Sequence, residues 1–212
     1  PRPRRCGNRS TELSSTLKPK PMPMPVTSAP SRLFVVRPAI ALMDEATSAL
    51  DAHLEMVRLT LEMISQMHYP ATLWLSESSQ EGASWGREHS LPVEVQCSGD
   101  LGMKMLDAIS RTLEASPEKV VLIGSDCPVL SQKDIHDAFL WLDQHDIVIF
   151  PCEDGGYGLI AMKQRHAELF LQISWSTQSV MSETLDRARD HNLSVKCGRM
   201  IWDVDHIEDW QR

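Results

Sequence analysis

The chain has 212 residues, of which 42% are hydrophobic and 24% are charged, an ordinary composition for one soluble globular domain. Its net charge of −8 is unevenly spread, because residues 1–37 hold eight Lys and Arg side chains against one acid, while the remaining residues hold 13 basic and 28 acidic side chains. An acidic body argues against nucleic-acid binding. It suits a site in which carboxylates gather around a divalent cation.

The five cysteines are scattered and show no Cys-x-x-Cys spacing, so the sequence predicts neither a disulfide framework nor a zinc site. No apolar run approaches the roughly 18–20 residues that a membrane helix needs. The first 30 residues lack the apolar core of a signal peptide. We therefore expect a cytoplasmic protein that does not bind membranes, and the sequence leaves its oligomeric state open.

Two regions are predicted from composition. Residues 1–31 are rich in Pro, Ser and Arg and cannot pack a core, which predicts a disordered basic tail. This tail either contacts an acidic partner or is a solvated tail or a remnant foreign to the natural protein. Residues 32–212 are predicted to form one domain.

The spacing of apolar residues predicts strands that alternate with helices. The first strand is predicted at 32–36 and the first helix at 44–67, ended by Tyr69-Pro70. After these we predict a strand at 71–75, a short helix containing Trp85, a strand at 93–96 and a helix from Gly99 to about 115. Two further strands are predicted in the apolar runs that begin at Lys119 and Asp146, with a helix from Ser131 between them. They are followed by a strand at 157–162, a short helix at 168–171, a helix at 177–191 and a strand at 193–197. Such alternation is typical of an α/β domain with a mainly parallel sheet flanked by helices.

The stretch from Lys119 to Met162 is predicted to organise the fold. Two continuous apolar runs with a helix between them indicate a βαβ unit whose strands are buried on both faces. Ligands of such sheets bind beyond the carboxyl ends of the strands. Asp126, Glu153 and Asp154 follow those two ends and are candidate site residues.

Each acidic motif has a second interpretation. Asp126 holds a divalent cation or merely caps a turn. In the sequence Glu153-Asp154-Gly155-Gly156, the glycines permit positive φ and close approach to a ligand, or they form a plain hairpin turn. Asp203 and Asp205 are one strand period apart and can present two carboxylates on one face, or they belong to a solvated acidic patch.

The string Met43-Asp-Glu-Ala-Thr-Ser-Ala-Leu-Asp51 resembles the Walker-B strand and following loop of ABC-transporter ATPases. Such an ATPase also needs a Gly-x-x-x-x-Gly-Lys-Ser/Thr loop to hold phosphates, and the chain contains none. The alternative is a helix start with Asp44 as its cap. An ATPase fragment is kept only as a remote third hypothesis.

Five motifs in one order resemble a known family: Gly-Asp-Leu-Gly-Met-Lys-Met from Gly99, Ile-Gly-Ser-Asp-Cys-Pro-Val-Leu from Ile123, Glu-Asp-Gly-Gly-Tyr-Gly-Leu-Ile from Glu153, Trp-Ser-Thr from Trp175, and Asp-Val-Asp from Asp203. They are similar to the bacterial family DUF2064, also called the "transferase 1" glycosyltransferase-like family, of the GT-A nucleotide-diphospho-sugar transferases. The resemblance implies a single Rossmann-like GT-A domain. It also implies binding of a nucleoside triphosphate or nucleotide sugar through Mg²⁺ or Mn²⁺.

The resemblance also assigns roles to residues. Asp126 and Asp205 would be the catalytic metal carboxylates, with Asp203 as an alternative ligand. The acceptor side of the substrate site would comprise Glu153, Asp154, Gly155, Gly156, Trp175, Ser176 and Thr177. The remaining substrate-binding candidates are Arg37, Gly99, Asp100, Cys127 and Pro128.

One departure from the family pattern bears on activity. Family members follow the first strand with a loop like Lys-Ala-Pro-x-Pro-Gly-x-x-Lys-Thr-Arg-Leu, whereas here Val36 is followed by Arg37-Pro-Ala-Ile. Without those cations much of the charge of a triphosphate is left uncompensated. Two hypotheses therefore stand: a metal-dependent nucleotidyl- or glycosyltransferase acting on a small acceptor, and a catalytically impaired nucleotide-binding or interaction protein on the same scaffold.

Overall fold

One eight-stranded sheet carries the fold, in a computed structural model that describes residues 32–36, 39–44, 50–115 and 118–204. The predictions for the tail at 1–31, for Arg37 and for Asp205 lie outside these residues. The strands are β1 (Arg32–Val36), β2 (Ala39–Asp44), β3 (Ala71–Leu75), β4 (Val93–Val95), β5 (Val120–Gly124), β6 (Ile147–Pro151), β7 (Tyr157–Met162) and β8 (Val195–Cys197). The helices are α1 (Leu50–Ser65), α2 (Gln80–Glu88), α3 (Leu101–Ala115), α4 (Gln132–Trp141) and α5 (Val180–Asp190), with a 3₁₀ turn at Ala167–Leu169.

The strands lie in the order β4-β3-β1-β2-β5-β7-β6-β8. Six of them (β2, β3, β4, β5, β6 and β8) run in one direction, and β1 and β7 run against them. The predicted α/β class with a mainly parallel sheet is therefore confirmed. Because the six strands share a direction, their carboxyl ends form one edge of the sheet.

The central unit differs from a simple βαβ unit in one respect. Strands β5 and β6 are parallel and are connected through α4, as predicted, but β7 lies between them and pairs antiparallel with both. The residues of β5 are fully buried, which explains its continuous apolar run. The insertion brings the turn that connects β6 to β7 onto the same edge as the carboxyl end of β5.

The predicted start of the first helix at residue 44 is wrong. Residues Ala39–Asp44 form β2, which pairs parallel with β5 from Ala39 opposite Val120 to Met43 opposite Gly124, and α1 begins at Leu50. A short apolar run fits either a buried strand or a helix by its spacing alone, and here pairing with the central strand decides. The first residues of the Walker-B-like string, Met43 and Asp44, thus lie in a strand of this sheet.

Two apolar layers cover the two faces of the sheet. Successive residues of β5 alternate between them, so Val121 packs with α1 and α4 while Leu122 packs with α3 and α5. Leu61 of α1 and Ile109 of α3 are completely buried, and each such side chain contributes about 1.5–3 kcal/mol to stability. No helix among the described residues combines the length and apolar character required to cross a membrane.

Candidate active site cleft

A cleft of about 620 Å³, counted with its open mouth, lies at the carboxyl edge of the sheet on the side covered by α3. Its wall contains three carboxylates, two aromatic rings and two hydroxyl groups. They belong to Asp126, Asp154, Asp203, Tyr157, Trp175, Ser176 and Thr177.

Asp126 reaches the cleft because it follows the carboxyl end of β5, where Ser125 is buried and Asp126 is half-buried. The backbone carbonyl of Asp126 accepts a hydrogen bond of 3.0 Å from the N–H of Val204. This bond joins the end of β5 to the chain segment that carries Asp203, although the two are far apart in sequence. The fold therefore places Asp126 and Asp203 beside the same cleft.

Asp154 is held by a tight turn between β6 and β7. The N–H of Gly155 donates to the carbonyl of Cys152 at 3.2 Å, and the N–H of Gly156 donates to Oδ1 of Asp154 at 2.8 Å. Gly155 has a φ of +95°, so the predicted positive φ is confirmed there. The motif is a hairpin turn, and its Asp154 and Gly156 also line the cleft. Its approach to a ligand stays a prediction.

Three groups in this region are close enough to share one cation. The Sγ of Cys152 and the carboxylates of Asp154 and Asp203 lie within 4.8 Å of one another. Asp126 lines the same cleft. Carboxylate oxygens are the ligands that Mg²⁺ and Mn²⁺ prefer, so the two aspartates fit such an ion, whereas the Cys152 thiol does not.

Two thiols lie in contact beneath these carboxylates. The Sγ atoms of Cys127 and Cys152 are 3.9 Å apart, and both residues are buried. The hydrogen bond with Cys152, burial, and the negative charges of Asp126 and Asp203 raise the pKa of Cys127 well above its ordinary value. The bond with Cys127 lowers the pKa of Cys152, but burial and the neighbouring carboxylates outweigh it and leave that pKa raised. Both groups are therefore neutral thiols near pH 7, so neither is activated as a nucleophile.

The segment Trp175–Thr177 forms another part of the cleft wall. The ring of Trp175 meets that of Tyr157 edge to face, with centroids 6.4 Å apart. Helix α3 packs closely against this segment, because a Cβ on Gly102 would lie 2.6 Å from the Trp175 Nε1. Aromatic faces beside hydroxyl groups are suited to bind a sugar or a base.

The predicted site residues divide into three groups. The structure brings Asp126, Cys127, Asp154, Gly156, Trp175, Ser176, Thr177 and Asp203 together around the cleft. Glu153, Gly155 and Pro128 lie in adjoining positions of the same loops, and Gly99 and Asp100 precede α3, where Asp100 Oδ1 accepts from the N–H of Met103 at 2.8 Å. Arg37 and Asp205 lie outside the described residues.

Sequence reasoning missed several wall residues. Leu101 and Met105 of α3 line the cleft, but in sequence they look like the ordinary apolar face of an amphipathic helix. Cys152 was also missed as a donor near the carboxylates. Its position immediately before Glu153-Asp154 was the one signal that could have found it.

The chain segment that carries Asp203 is anchored by Arg199. The guanidinium of Arg199 donates to both carboxylate oxygens of the buried Asp134, at 3.0 and 2.8 Å, and to the carbonyl of Val129. Asp134 also forms a capping box with Ser131 at the start of α4. Arg199 lies four residues before Asp203. Its hydrogen bonds therefore connect the segment that carries Asp203 to Val129, in the loop that follows Asp126.

We expect Asp134→Asn to destabilise the protein in a pH-dependent way. Burial alone raises the pKa of Asp134, but hydrogen bonds from Arg199 and Ser131 outweigh it, so this pKa lies below its ordinary value. A depressed carboxyl pKa stabilises the fold above the unfolded-state pKa of about 3.9, and this contribution is lost as the pH falls through the folded-state pKa. Because Arg199 is half-exposed, the loss at pH 7 should be about 1–2 kcal/mol.

Urea unfolding of wild type and Asp134→Asn at several pH values between 7 and 3 measures this difference. It should begin to shrink below about pH 4, where Asp134 takes up a proton in the unfolded chain but not yet in the folded one, and go on shrinking as the pH falls through the lower folded-state pKa. Asp137→Asn on the same helix is the control and should cost under about 0.5 kcal/mol, because Asp137 pairs with the exposed Lys133. A difference between wild type and Asp134→Asn that stayed constant down to pH 3 would contradict the assignment.

Comparison with known proteins gives a family and a fold. Residues 60–177 match the family described as "Uncharacterized protein conserved in bacteria (DUF2064)". A crystal structure of a candidate nucleotide-diphospho-sugar transferase from Desulfovibrio desulfuricans G20 is similar with a TM-score of 0.65 and 23% identity, over 74% of this chain and 71% of that one. CMP:2-keto-3-deoxy-manno-octonic acid synthetase complexed with CTP is similar with a TM-score of 0.51 and 10% identity, over 74% of this chain and 84% of that one. No curated protein matches the sequence at a significant level.

Proposed function

The chain belongs to the DUF2064 family, and from that premise we propose that it is a metal-dependent transferase that acts on a nucleoside triphosphate or a nucleotide sugar. The observation that supports this most is the gathering of Asp126, Asp154 and Asp203 beside Trp175 in one cleft. The cleft lies where ligands bind in sheets of this kind. The two similar structures support the proposal because they share this fold, and one of them was determined as a complex with CTP.

The carboxylates of Asp126 and Asp203 would hold the cation, with Asp154 as a further donor. When bound, Mg²⁺ or Mn²⁺ neutralises charge on phosphate oxygens, including the charge that develops on a leaving phosphate. Asp126 and Asp203 are held in fixed positions by the Val204–Asp126 hydrogen bond and by the Arg199 anchor. A site whose ligands are already in position loses little free energy to reorganisation when its ligand binds.

The other wall residues are suited to the acceptor. Ser176 and Thr177 offer hydroxyl groups, and Asp154 offers an exposed carboxylate in the same cleft wall. These groups can bind and orient an acceptor hydroxyl toward the phosphate. The two neutral thiols below them do not act as nucleophiles, so direct transfer without a covalent enzyme intermediate is the proposed route.

A second candidate function rests on the electrostatics of the cleft. None of the described residues that line it is Lys or Arg, and the sequence lacks the basic loop of the family after Val36. In this second proposal the scaffold binds a nucleotide but no longer catalyses transfer. It predicts nucleotide binding without turnover, and turnover only after a Gly-x-x-Lys-Thr-Arg loop is restored.

A thermal-shift screen of nucleoside triphosphates and nucleotide sugars, with Mg²⁺, with Mn²⁺ and with EDTA, tests the proposed function. A ligand at 100 times its Kd stabilises a protein by about 2.7 kcal/mol, which gives a clear rise in Tm. We expect such a rise for at least one nucleotide and only with the metal, because the described cleft wall holds carboxylates and no Lys or Arg. An equal rise in EDTA would contradict a metal-bridged site, and no rise with any nucleotide would contradict nucleotide binding.

A further inference from the structure

Two cysteines that the proposed transfer does not use lie beside the carboxylates of the cleft. Cys127 lies in the loop after β5 and is 3% exposed, and Cys152 follows the last residue of β6 and is 4% exposed. Strand β7 runs between β5 and β6, and a Cβ at its Gly158 would lie 2.3 Å from the Sγ of Cys127. The absence of a side chain at Gly158 therefore leaves room for the Cys127 thiol, which contacts that of Cys152.

The separation of the two sulfur atoms matches that of two thiolate ligands on one metal ion. Zn²⁺ binds thiolate sulfur at about 2.3 Å in a tetrahedral arrangement, which places two such ligands about 3.8 Å apart. The Sγ atoms of Cys127 and Cys152 are 3.9 Å apart. The two cysteines therefore already have the spacing of a pair of zinc ligands.

Two carboxylates lie close enough to supply the other ligands of a four-coordinate ion. The Sγ of Cys152 and carboxylate oxygens of Asp154 and Asp203 lie within 4.8 Å of one another. None of the described residues that line the cleft is Lys or Arg, so no cationic side chain of that wall competes with a metal ion for these groups. Zinc binds both cysteine sulfur and carboxylate oxygen, usually with four ligands in all.

We propose that the cleft contains a Zn²⁺ site whose ligands are two thiolates and two carboxylates. The zinc ligands are Cys127, Cys152, Asp154 and Asp203. Thiolate sulfur favours zinc, whereas Mg²⁺ and Mn²⁺ prefer oxygen, so the two cysteines select a different metal from the one in the proposed transfer. The ion reaches the buried sulfurs through the cleft, whose wall includes Cys127, and each thiol releases its proton to solvent when it binds.

The zinc site shares ligands with the proposed site for Mg²⁺. Asp203 belongs to both sites, and Asp154 is a further donor to Mg²⁺. Zinc and the Mg²⁺–nucleotide complex therefore compete for the cleft, and bound zinc lowers the affinity for that complex. This consequence, unlike the zinc site itself, rests on the proposed function.

Titration of the reduced protein with Co²⁺, a spectroscopic substitute for zinc, tests whether the thiols bind metal. Thiolate bound to Co²⁺ gives a charge-transfer absorption in the near ultraviolet, and tetrahedral Co²⁺ gives intense bands in the visible range. We expect both signals in wild type, with saturation at one ion per chain. Addition of Zn²⁺ should abolish them, because zinc competes for the same ligands.

Single substitutions test the ligands in titrations with chelator-buffered Zn²⁺. Cys127→Ser and Cys152→Ser should each lower zinc affinity by at least about 100-fold, because a direct ligand contributes more than the groups that merely orient it. Cys197→Ser is the matched control, since Cys197 is an exposed cysteine of β8, and its zinc affinity should equal that of wild type. Asp154→Asn changes an exposed turn position and keeps the fold if a buried cysteine variant does not; it should lower zinc affinity by at least about tenfold.

Three results would refute the zinc site. The first is the absence of a thiolate charge-transfer band in wild type, which would make the contact between Cys127 and Cys152 one of packing only. The second is a band that Cys197→Ser removes, which would place the bound metal at the protein surface. The third is equal zinc affinity in wild type, Cys152→Ser and Asp154→Asn.

The competition with nucleotide is measured separately, so the two proposals can fail independently. With zinc at ten times its Kd, wild type should bind the Mg²⁺ complex of its preferred nucleotide about tenfold more weakly. In the double variant Cys127→Ser/Cys152→Ser, zinc should not change that affinity. Equal affinity in wild type with and without zinc would refute the shared ligands. If wild type binds no nucleotide, the proposed function fails, while the metal titrations still decide the zinc site.

Discussion

Replacement of Asp126 by asparagine weakens metal-dependent nucleotide binding by about 100-fold or more. The substitution keeps the shape of the side chain and removes one negative charge from the proposed cation site. Removal of a group that only orients a metal ligand lowers metal affinity by about 10–100-fold. Removal of a ligand itself should lower it at least as much. Calorimetric titration of the Mg²⁺ complex of the preferred nucleotide measures the effect.

The fold should survive this change, because Asp126 is half-buried and the bond that ties it to Val204 uses its backbone carbonyl. Asp190→Asn, at the exposed end of α5, removes the same charge far from the cleft and is the matched control. It should leave the affinity unchanged. If Asp126→Asn and wild type bind the Mg²⁺–nucleotide complex with equal affinity, the assignment of Asp126 to the cation site is wrong.

The second large effect is expected from Gly155→Ala. A Cβ at this position would lie 2.3 Å from the carbonyl oxygen of Gln178 and 2.7 Å from its carbonyl carbon, so backbone must move. The φ of +95° is also disfavoured for any residue with a side chain. Backbone strain and overpacking each cost about 1–3 kcal/mol, so we expect a loss of about 3 kcal/mol or more in urea unfolding.

Gly156→Ala is the control for that prediction. Its Cβ would meet only the carboxylate of Asp154 at 3.3 Å, an exposed group that can shift by a few tenths of an ångström, and its φ is not positive. We expect a loss below about 1 kcal/mol. If the two substitutions lower the free energy of unfolding equally, the tight packing of the turn against Gln178 is not the reason that position 155 requires glycine.

Much of the fold follows from local signals in the sequence. The strand at Val120–Gly124 and the helix capped by Ser131 were predicted because a buried parallel strand is continuously apolar and a capping residue marks where the helix begins. Strand β2 was missed because the spacing of a short apolar run fits either a strand or a helix. Its pairing with β5 is a long-range contact that no local pattern encodes.

Some residues of the candidate site were likewise predictable from local sequence, and others depend on long-range contacts. Asp126 was predictable because it follows a buried strand, and Asp154 because an acid precedes two glycines. The contact between Cys127 and Cys152 was not, because it depends on β7 lying between β5 and β6. The side-chain amide of Gln96 is buried and makes no hydrogen bond within the part of the chain that the structure describes. The sequence does not predict this, because a glutamine is expected to face water. The role of Asp205 and the predicted tail at 1–31 stay predictions.

The central claim, a cation bound between Asp126 and Asp203 that holds a nucleotide, is tested most directly by crystals grown with Mn²⁺ and the preferred nucleotide. Anomalous diffraction from manganese locates the ion without reference to activity. The account predicts one peak within about 2.5 Å of carboxylate oxygens of Asp126 and Asp203, with phosphate density on its other side. Nucleotide density with no manganese peak in this cleft, or a peak away from both carboxylates, would contradict it.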